Sequence, residues 1–225
     1  MHGFAKQFAE YCERNFNLED GENYSYRSLS VCIIDCVYSL RARYNHVTVP
    51  IINRYAEAYM NGDSSNPGDT VTMLLQHIDE NGGPKKFADN VLHNCQKLGG
   101  KAAIPKEDVC FQLAQYLSYL HIDTLEDFRS FESQELLEVV IRSVKGMGDA
   151  GMNYLFMLAG DPNRCKPDVH IHRCIKDACG CDLSNEECQK LFTDTVYCLN
   201  RKYPNLTVRN LDGIIWRKYQ SKEQD

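Results

Sequence analysis

The chain has 225 residues, enough for one domain or two small ones, and its 43% apolar content is sufficient for a buried core. The net charge of −6 disfavours a general polyanion-binding protein, because nucleic-acid-binding modules usually carry an excess of lysine and arginine. No apolar run approaches the ~20 residues of a membrane span and the first residues lack the apolar stretch of a secretory signal, so the expected location is the cytoplasm, or the nucleus in a eukaryote.

Helical periodicity begins near the N-terminus. Apolar residues recur at helical spacing over residues 4–12 and again over residues 29–40. Three prolines, at positions 67, 84 and 105, each precede a further periodic run, and proline favours the first turn of a helix. Helices are therefore predicted over residues 70–78, 85–98 and 106–120.

The remaining segments also have helical signals. Gly99 and Gly100 are predicted to end the second of these helices, because glycine is frequent just beyond a helix C-terminus. Thr124 and Ser184 each begin a pattern typical of an N-terminal cap, and a last helix is predicted over residues 208–219. No convincing two-residue strand periodicity is present. The pattern therefore predicts an all-α fold.

Eleven cysteines are present, and an odd number without a secretory signal favours reduced thiols. Five of them raise the question of a metal centre: Cys165, Cys174, Cys179, Cys181 and Cys188. The closest pair, Cys179 and Cys181, lacks the two-to-four-residue spacing of zinc ligands. No metal and no cofactor are therefore predicted.

The most informative segment is VKGMG at residues 144–148, which lies between two apolar helical segments. A Gly-x-Gly turn at this place leaves backbone N–H groups unsatisfied at the start of the second helix, where a phosphate can bind. The surrounding residues 141–176 carry six cationic and three anionic side chains, a local net charge of +3. The alternative interpretation is a structural turn surrounded by solvated charges.

Asp168 follows the second glycine by twenty residues, in the segment KPDVHIHR at residues 166–173. The order of hairpin, carboxylate and His-Ile-x-Arg resembles the helix-hairpin-helix/Gly-Pro-Asp superfamily of base-excision DNA glycosylases. The resemblance covers about residues 24–220 and is most specific over residues 141–173. An aspartate between a proline and an apolar helix start is also a good N-terminal cap, so the residues alone leave Asp168 open between capping and catalysis.

The resemblance implies a two-lobed helical fold and a monomeric protein. One lobe would be a helical barrel of residues 24–160 that ends in the hairpin. The other would combine residues 1–23 with residues 161–225, and Asp168 would lie between the lobes as the catalytic carboxylate. The four-cysteine iron–sulfur motif that some members carry near the C-terminus is absent from this sequence.

The resemblance also assigns DNA-binding residues. They are Lys145, Gly146, Met147, Gly148, Asp149, Ala150 and Arg173. Members that also cut the DNA backbone have a lysine two residues after the second glycine, where this chain has Ala150. Because a lyase needs an amine to form a Schiff base with the opened sugar, the expected enzyme is monofunctional. Lys145 and Lys166 lie nearby in sequence, but neither occupies that position.

A base that leaves the DNA stack leaves a gap that a side chain can fill. The register of the resemblance places Arg41 at this wedge position, with Tyr38 or Tyr44 as a neighbour able to stack on a base. An exposed arginine at a helix end is the alternative. His170 matches a histidine of the superfamily and is predicted to be a hydrogen-bonding residue near the cleft, whereas His172 is expected either in the cleft or on the surface.

The predicted function is a monofunctional DNA glycosylase of base excision repair, which hydrolyses the N-glycosidic bond of a damaged or mispaired base flipped out of duplex DNA. An ionised Asp168 would stabilise the positive charge that develops on the sugar. Two alternatives remain open. One is a non-catalytic nucleic-acid-binding protein with the same hairpin, favoured by Ala150, Gly151 and the acidic total charge. The other is an RNA- or nucleotide-directed hydrolase, because backbone contacts carry little sequence information.

Overall fold

The computed structural model describes residues 2–19, 21, 26–99 and 103–221. The chain divides into two compact units, which we call the hairpin unit (residues 25–159) and the terminal unit (residues 1–24 with residues 160–225). The boundary predicted at residue 24 falls on a segment, residues 22–25, that lies outside the described residues.

Almost all of the regular secondary structure in the described chain is α-helical, which confirms the predicted fold class. In chain order the helices are α1 (His2–Asn15), α2 (Leu29–Ser39), α3 (Val49–Tyr59), α4 (Val71–Glu80), α5 (Pro84–Phe87), α6 (Lys106–Tyr119), α7 (Leu125–Ser130), α8 (Gln134–Ser143), α9 (Gly148–Leu158), α10 (Val169–Cys179), α11 (Asn185–Leu199) and α12 (Val208–Ser221). Two π-helical turns, Tyr44–Thr48 and Ala88–Leu92, precede α3 and follow α5. None of the described helices is long and apolar enough to cross a membrane.

Helix α2 is the centre of the hairpin unit. All of its residues are buried, and α3, α4, α6 and α9 pack around it. Its one charged residue, Asp35, accepts hydrogen bonds from three tyrosine hydroxyl groups, those of Tyr26, Tyr44 and Tyr154, at 2.7, 2.7 and 3.0 Å. These donors make a buried carboxylate tolerable in an apolar helix. The hydroxyl of Tyr44, predicted as a base-stacking neighbour, is thus bound to the interior.

The prediction of a helix over residues 85–98 is wrong beyond the second helical turn. The π-helical turn ends at His93, whose backbone is left-handed with φ +47°. The His93 ring Nδ1 lies 2.8 Å from the carbonyl oxygen of Asp89, and the Asp89 carboxylate accepts a 2.7 Å hydrogen bond from the thiol of Cys95. Such local hydrogen bonds of polar side chains compete with helix continuation.

A short antiparallel pair of strands replaces the end of that predicted helix. Strand β1 is Lys97–Leu98 and strand β2 is Ile104–Pro105, with Lys97 opposite Pro105 and Leu98 opposite Ile104. Two residues per strand are too few to produce a detectable alternation, so the sequence does not predict them.

The predicted helix boundaries also require corrections. Gly99 follows β1 and does not end a helix, and Gly100 lies outside the described residues. Pro84 occupies the first turn of α5 as predicted. In contrast, Pro105 is the N-cap residue of α6, and Pro67 lies in the turn before α4, so neither is in a first helical turn.

The terminal unit has a separate apolar core, formed by α1, α10, α11 and α12. The rings of Phe8 and Phe192 lie 5.5 Å apart within it. The cap predicted at Ser184 is present as a capping box at the start of α11, and the corresponding cap at Thr124 begins α7 in the hairpin unit. Short polar caps followed by apolar periodicity therefore define helix starts in both units.

Candidate functional site

The segment between α8 and α9 is a tight turn that requires glycine at two positions. The N–H of Val144 donates to the carbonyl of Ile141 at 3.2 Å, and the N–H of Met147 donates to the carbonyl of Val144 at 3.1 Å. Gly146 has φ +104° and Gly148 has φ +55°, conformations that residues with a Cβ rarely adopt. The Gly-x-Gly motif thus forms a tight turn between two helices.

The two glycines differ in their surroundings. A Cβ on Gly146 would lie 3.1 Å from a methyl group of Leu98 and 3.5 Å from one of Val109, so this glycine packs against the interior. A Cβ on Gly148 would meet no atom within 4 Å. Met147 is buried between them. The turn is therefore anchored through Gly146 and Met147, whereas Gly148 faces open space.

The start of α9 presents unsatisfied backbone donors. Within the described part of the chain, the N–H groups of Gly148, Asp149 and Ala150 make no hydrogen bond, while the N–H of Gly151 donates to the carbonyl of Met147 at 3.1 Å. Three adjacent donors at the positive end of a helix dipole can bind an oxyanion such as a phosphate. Ala150, half-buried in this turn, offers no amine.

Charged side chains surround these donors. Lys145 is exposed in the turn, and Arg142 contacts Asp149 at 2.8 Å and Glu138 at 3.8 Å. The Asp149 carboxylate stands in the first turn of α9, where it opposes an incoming anion. An anion at this turn would therefore be held by the backbone donors and Lys145 more than by an excess of positive charge.

Arg41, the predicted wedge, is exposed and belongs to the same unit as the hairpin. It follows the end of α2, where Leu40 lies 3.6 Å from the Cβ position of Gly151, and the thiol of Cys36 donates to the Gly151 carbonyl at 3.2 Å. Helix α2 therefore ends against the start of α9. The backbone of Arg41 is left-handed with φ +53°, a conformation that is strained for arginine.

Tyr38 is not available to a DNA base. Its side chain is 0% exposed, and burial raises the pKa of its hydroxyl well above the usual value. The ammonium of Lys106 lies 5.9 Å from the ring centroid and donates to the Tyr38 carbonyl at 2.8 Å. The prediction that Tyr38 stacks on a base is therefore wrong, because periodicity cannot distinguish one face of a helix that is buried all round.

Asp168 is the N-cap of α10. Its Oδ1 atom accepts hydrogen bonds from the backbone N–H groups of His170 and Ile171, at 2.9 and 3.2 Å. The side chain is half-buried, and no hydrogen bond to its second carboxylate oxygen occurs among the described residues. The capping interpretation of Asp168 is therefore realised, and one oxygen remains available for a second role.

Asp212, on α12, is a member of this site that the sequence analysis misses. Its Oδ2 atom accepts the backbone N–H of Lys166 at 2.9 Å, and the side chain is only 5% exposed. Desolvation by burial, with the neighbouring Asp168 carboxylate second, raises the pKa of Asp212 well above its ordinary value. The available signal was a carboxyl group directly after Leu211 and three residues before Ile215, in the predicted last helix.

The other predicted residues of α10 have structural surroundings. His170 is buried with its ring edge against Trp216, 6.1 Å between centroids, and its Nδ1 has no partner among the described residues, so the hydrogen bond expected for it is not found there. His172 lies 3.2 Å from Asn185 through Nε2 and 3.7 Å from the Cys188 sulfur through Nδ1. Both nitrogens face α11, whereas the sequence left His172 open between the cleft and the surface.

Arg173 and the cysteines complete the set of predicted residues. Arg173 is exposed on α10. Every cysteine is a free thiol, and burial raises the pKa of Cys110 and of Cys188 to about 12. Within the described residues, no group of three or more histidine, cysteine, aspartate or glutamate side chains is placed to hold a metal ion.

The family model described as a domain of unknown function, DUF8548, matches residues 6–221. The chain belongs to this family. The match includes the hairpin, Asp168 and Asp212. No curated protein and no solved structure matches the chain.

Proposed function

We propose that the protein is a monofunctional DNA glycosylase, which binds the backbone of duplex DNA through the α8–α9 hairpin and hydrolyses the N-glycosidic bond of a damaged or mispaired base. The observation that carries the proposal is the hairpin itself: after two glycines at positive φ, the backbone N–H groups of Gly148, Asp149 and Ala150 make no hydrogen bond among the described residues, and a Cβ on Gly148 would meet no atom within 4 Å. Lys145 adds an exposed cation to the same turn. Such a surface suits the phosphate groups of DNA of any sequence.

The chemical part of the proposal concerns Asp168. Departure of the base leaves positive charge on the sugar, and an ionised carboxylate stabilises that charge and orients the attacking water. The Asp168 oxygen that does not cap α10 is available for this work. The cap also holds the carboxylate in one orientation, and catalysis depends on such pre-positioned charge.

The same turn supports the absence of lyase activity. A Schiff base with the opened sugar requires a lysine amine at the reacting carbon. Ala150 occupies the position where the resemblance expects that lysine, in the first turn of α9. The product is therefore an intact strand with an abasic site.

Arg41 is the proposed residue for the gap that the extruded base leaves. It is exposed, follows Leu40, which packs against Gly151 of α9, and has a strained left-handed backbone conformation. Strained backbone conformations cluster at active sites and ligand-binding sites, which supports a functional role for this exposed cation.

A specific observation also favours a second candidate function. Because capping of α10 by itself accounts for Asp168, the same geometry suits a non-catalytic DNA-binding protein that uses the hairpin alone. The two candidates share the backbone-binding surface and differ only in whether a base is released.

The deciding experiment is incubation of the purified chain with a panel of duplexes, each bearing one lesion or one mismatch, followed by alkali to cleave abasic sites. We expect strand breaks on at least one duplex only after alkali, and no covalent adduct with borohydride. Tight, salt-dependent DNA binding without release of any base would establish the binding-protein alternative. Failure to bind duplex DNA even at low salt would contradict both.

A further inference from the structure

Asp212 and Asp168 are linked through the backbone of one residue, Lys166. The carboxylate of Asp212 accepts the N–H of Lys166 at 2.9 Å, and the carbonyl of the same Lys166 accepts the N–H of Asp168 at 2.7 Å. Pro167, buried between them, restricts the intervening backbone. The turn that presents Asp168 is therefore fixed at its start by a side chain of α12.

We propose that Asp212 is a positioning residue for Asp168: by holding the Lys166 peptide it sets the direction in which the Asp168 carboxylate points. Its consequence for catalysis rests on the proposed glycosylase activity, whereas its consequence for the turn does not.

The position of Asp212 suits this role because α12 is firmly packed. Its neighbours Leu211 and Ile215 are fully buried in the core of the terminal unit. A hydrogen bond to an acceptor side chain anchored in this way restrains the turn more than a bond to an exposed side chain, because little rotamer entropy remains to be lost. The part-buried N–H of Lys166 would also be costly to leave without an acceptor.

The charge state of Asp212 follows from the groups that face it. Asp168, from the start of α10, opposes its ionisation; Lys166, from the preceding loop, and Arg209, from α12 itself, favour it; the Cys165 thiol is a further neighbour. Burial outweighs the two cations and raises the pKa of Asp212. Asp212 therefore keeps its proton into a pH range where an exposed aspartate is ionised.

Two substitutions separate the role of Asp212 as a hydrogen-bond acceptor from its charge. Asp212→Asn keeps an oxygen acceptor for the Lys166 N–H and resembles the protonated acid. Asp212→Leu has a similar volume but no acceptor. Asp194→Asn is the control for loss of one carboxylate from the terminal unit, because Asp194 lies on α11 and its side chain makes no hydrogen bond among the described residues.

The first measurement is amide hydrogen exchange, which does not depend on any activity. In the parent chain we expect slow exchange at Lys166, His170 and Ile171. Asp212→Leu should accelerate all three by at least about tenfold, whereas the Asn and control variants should leave them unchanged. Fast exchange of the Lys166 amide in the parent would overturn the proposal even if the leucine variant fails to fold.

The second measurement is single-turnover excision, together with DNA affinity, on a duplex that the parent cleaves. Asp212→Leu should lower the excision rate at least about tenfold with unchanged DNA affinity. Asp212→Asn should excise at the rate of the parent and keep that rate to a higher pH than the parent does. A leucine variant with accelerated exchange but full activity would limit Asp212 to a structural role and overturn its effect on catalysis. If the parent excises nothing, the proposed function fails, and the exchange rates alone decide whether Asp212 holds the turn.

Discussion

The two hairpin glycines allow a prediction that separates folding from DNA binding. In Gly148→Ala the new Cβ meets no atom within 4 Å, so the cost is that of a left-handed alanine at φ +55°, about 1 kcal/mol. In Gly146→Ala the new Cβ lies 3.1 Å from Leu98 at φ +104°, and the forced shift of a packed side chain raises the cost to about 3 kcal/mol. The melting temperature should therefore fall by roughly 2–4 °C in the first variant and about three times as much in the second.

DNA binding should follow a different order from stability. The Cβ of Gly148→Ala occupies the open space in which a phosphate would approach the α9 N–H groups, so affinity should fall about tenfold, as for the loss of one charge-assisted hydrogen bond. Gly62→Ala is the matched control, because Gly62 also has positive φ, +80°, and open space in the same unit. Fluorescence anisotropy with a labelled duplex at low salt measures the affinities. Equal affinity of Gly148→Ala and Gly62→Ala would refute the phosphate-binding role of the turn.

Three further predictions concern charge and strain. Asp149→Asn should strengthen DNA binding several-fold at low salt, because it removes an anion from the start of α9 and releases Arg142; unchanged or weaker binding in a titration would contradict this. Arg41→Gly should stabilise the chain by about 1 kcal/mol, since φ +53° suits glycine, yet slow single-turnover excision; a full excision rate would exclude the wedge role. The free energy of unfolding should fall as pH rises above ~3.9 toward the raised pKa of Asp212, because the unfolded chain releases that proton first. In urea titrations across this range Asp212→Asn should lack that part of the decrease, and an identical slope in parent and variant would contradict the assignment.

The hairpin could be predicted because its signal is local. Two glycines separated by one residue lie between apolar periodic segments. This arrangement leaves few conformations other than a tight interhelical turn, and the structure has positive φ at both glycines. The caps at Thr124 and Ser184 were predictable for the same reason, since a cap is set by residues within one helical turn.

The errors arise where tertiary packing or competing local hydrogen bonds decide. Tyr38 lies on a helix that is buried on every side, so no periodicity identifies a face that reaches solvent. The polar bonds around Asp89 and His93 end a helix whose apolar spacing continues in the sequence. Asp212 becomes part of the site only because α12 packs beside the loop that contains Lys166, a contact 46 residues distant in the chain.

The most direct test of the central claim is single-turnover excision by Asp168→Asn on a duplex that the parent cleaves. Asparagine is as good an N-cap as aspartate and keeps the oxygen that accepts from His170 and Ile171, so stability and DNA binding should be preserved. If the ionised carboxylate stabilises the sugar cation, the excision rate should fall by at least ~100-fold. An asparagine variant that is equally stable and excises as fast as the parent would show that Asp168 is only a helix cap.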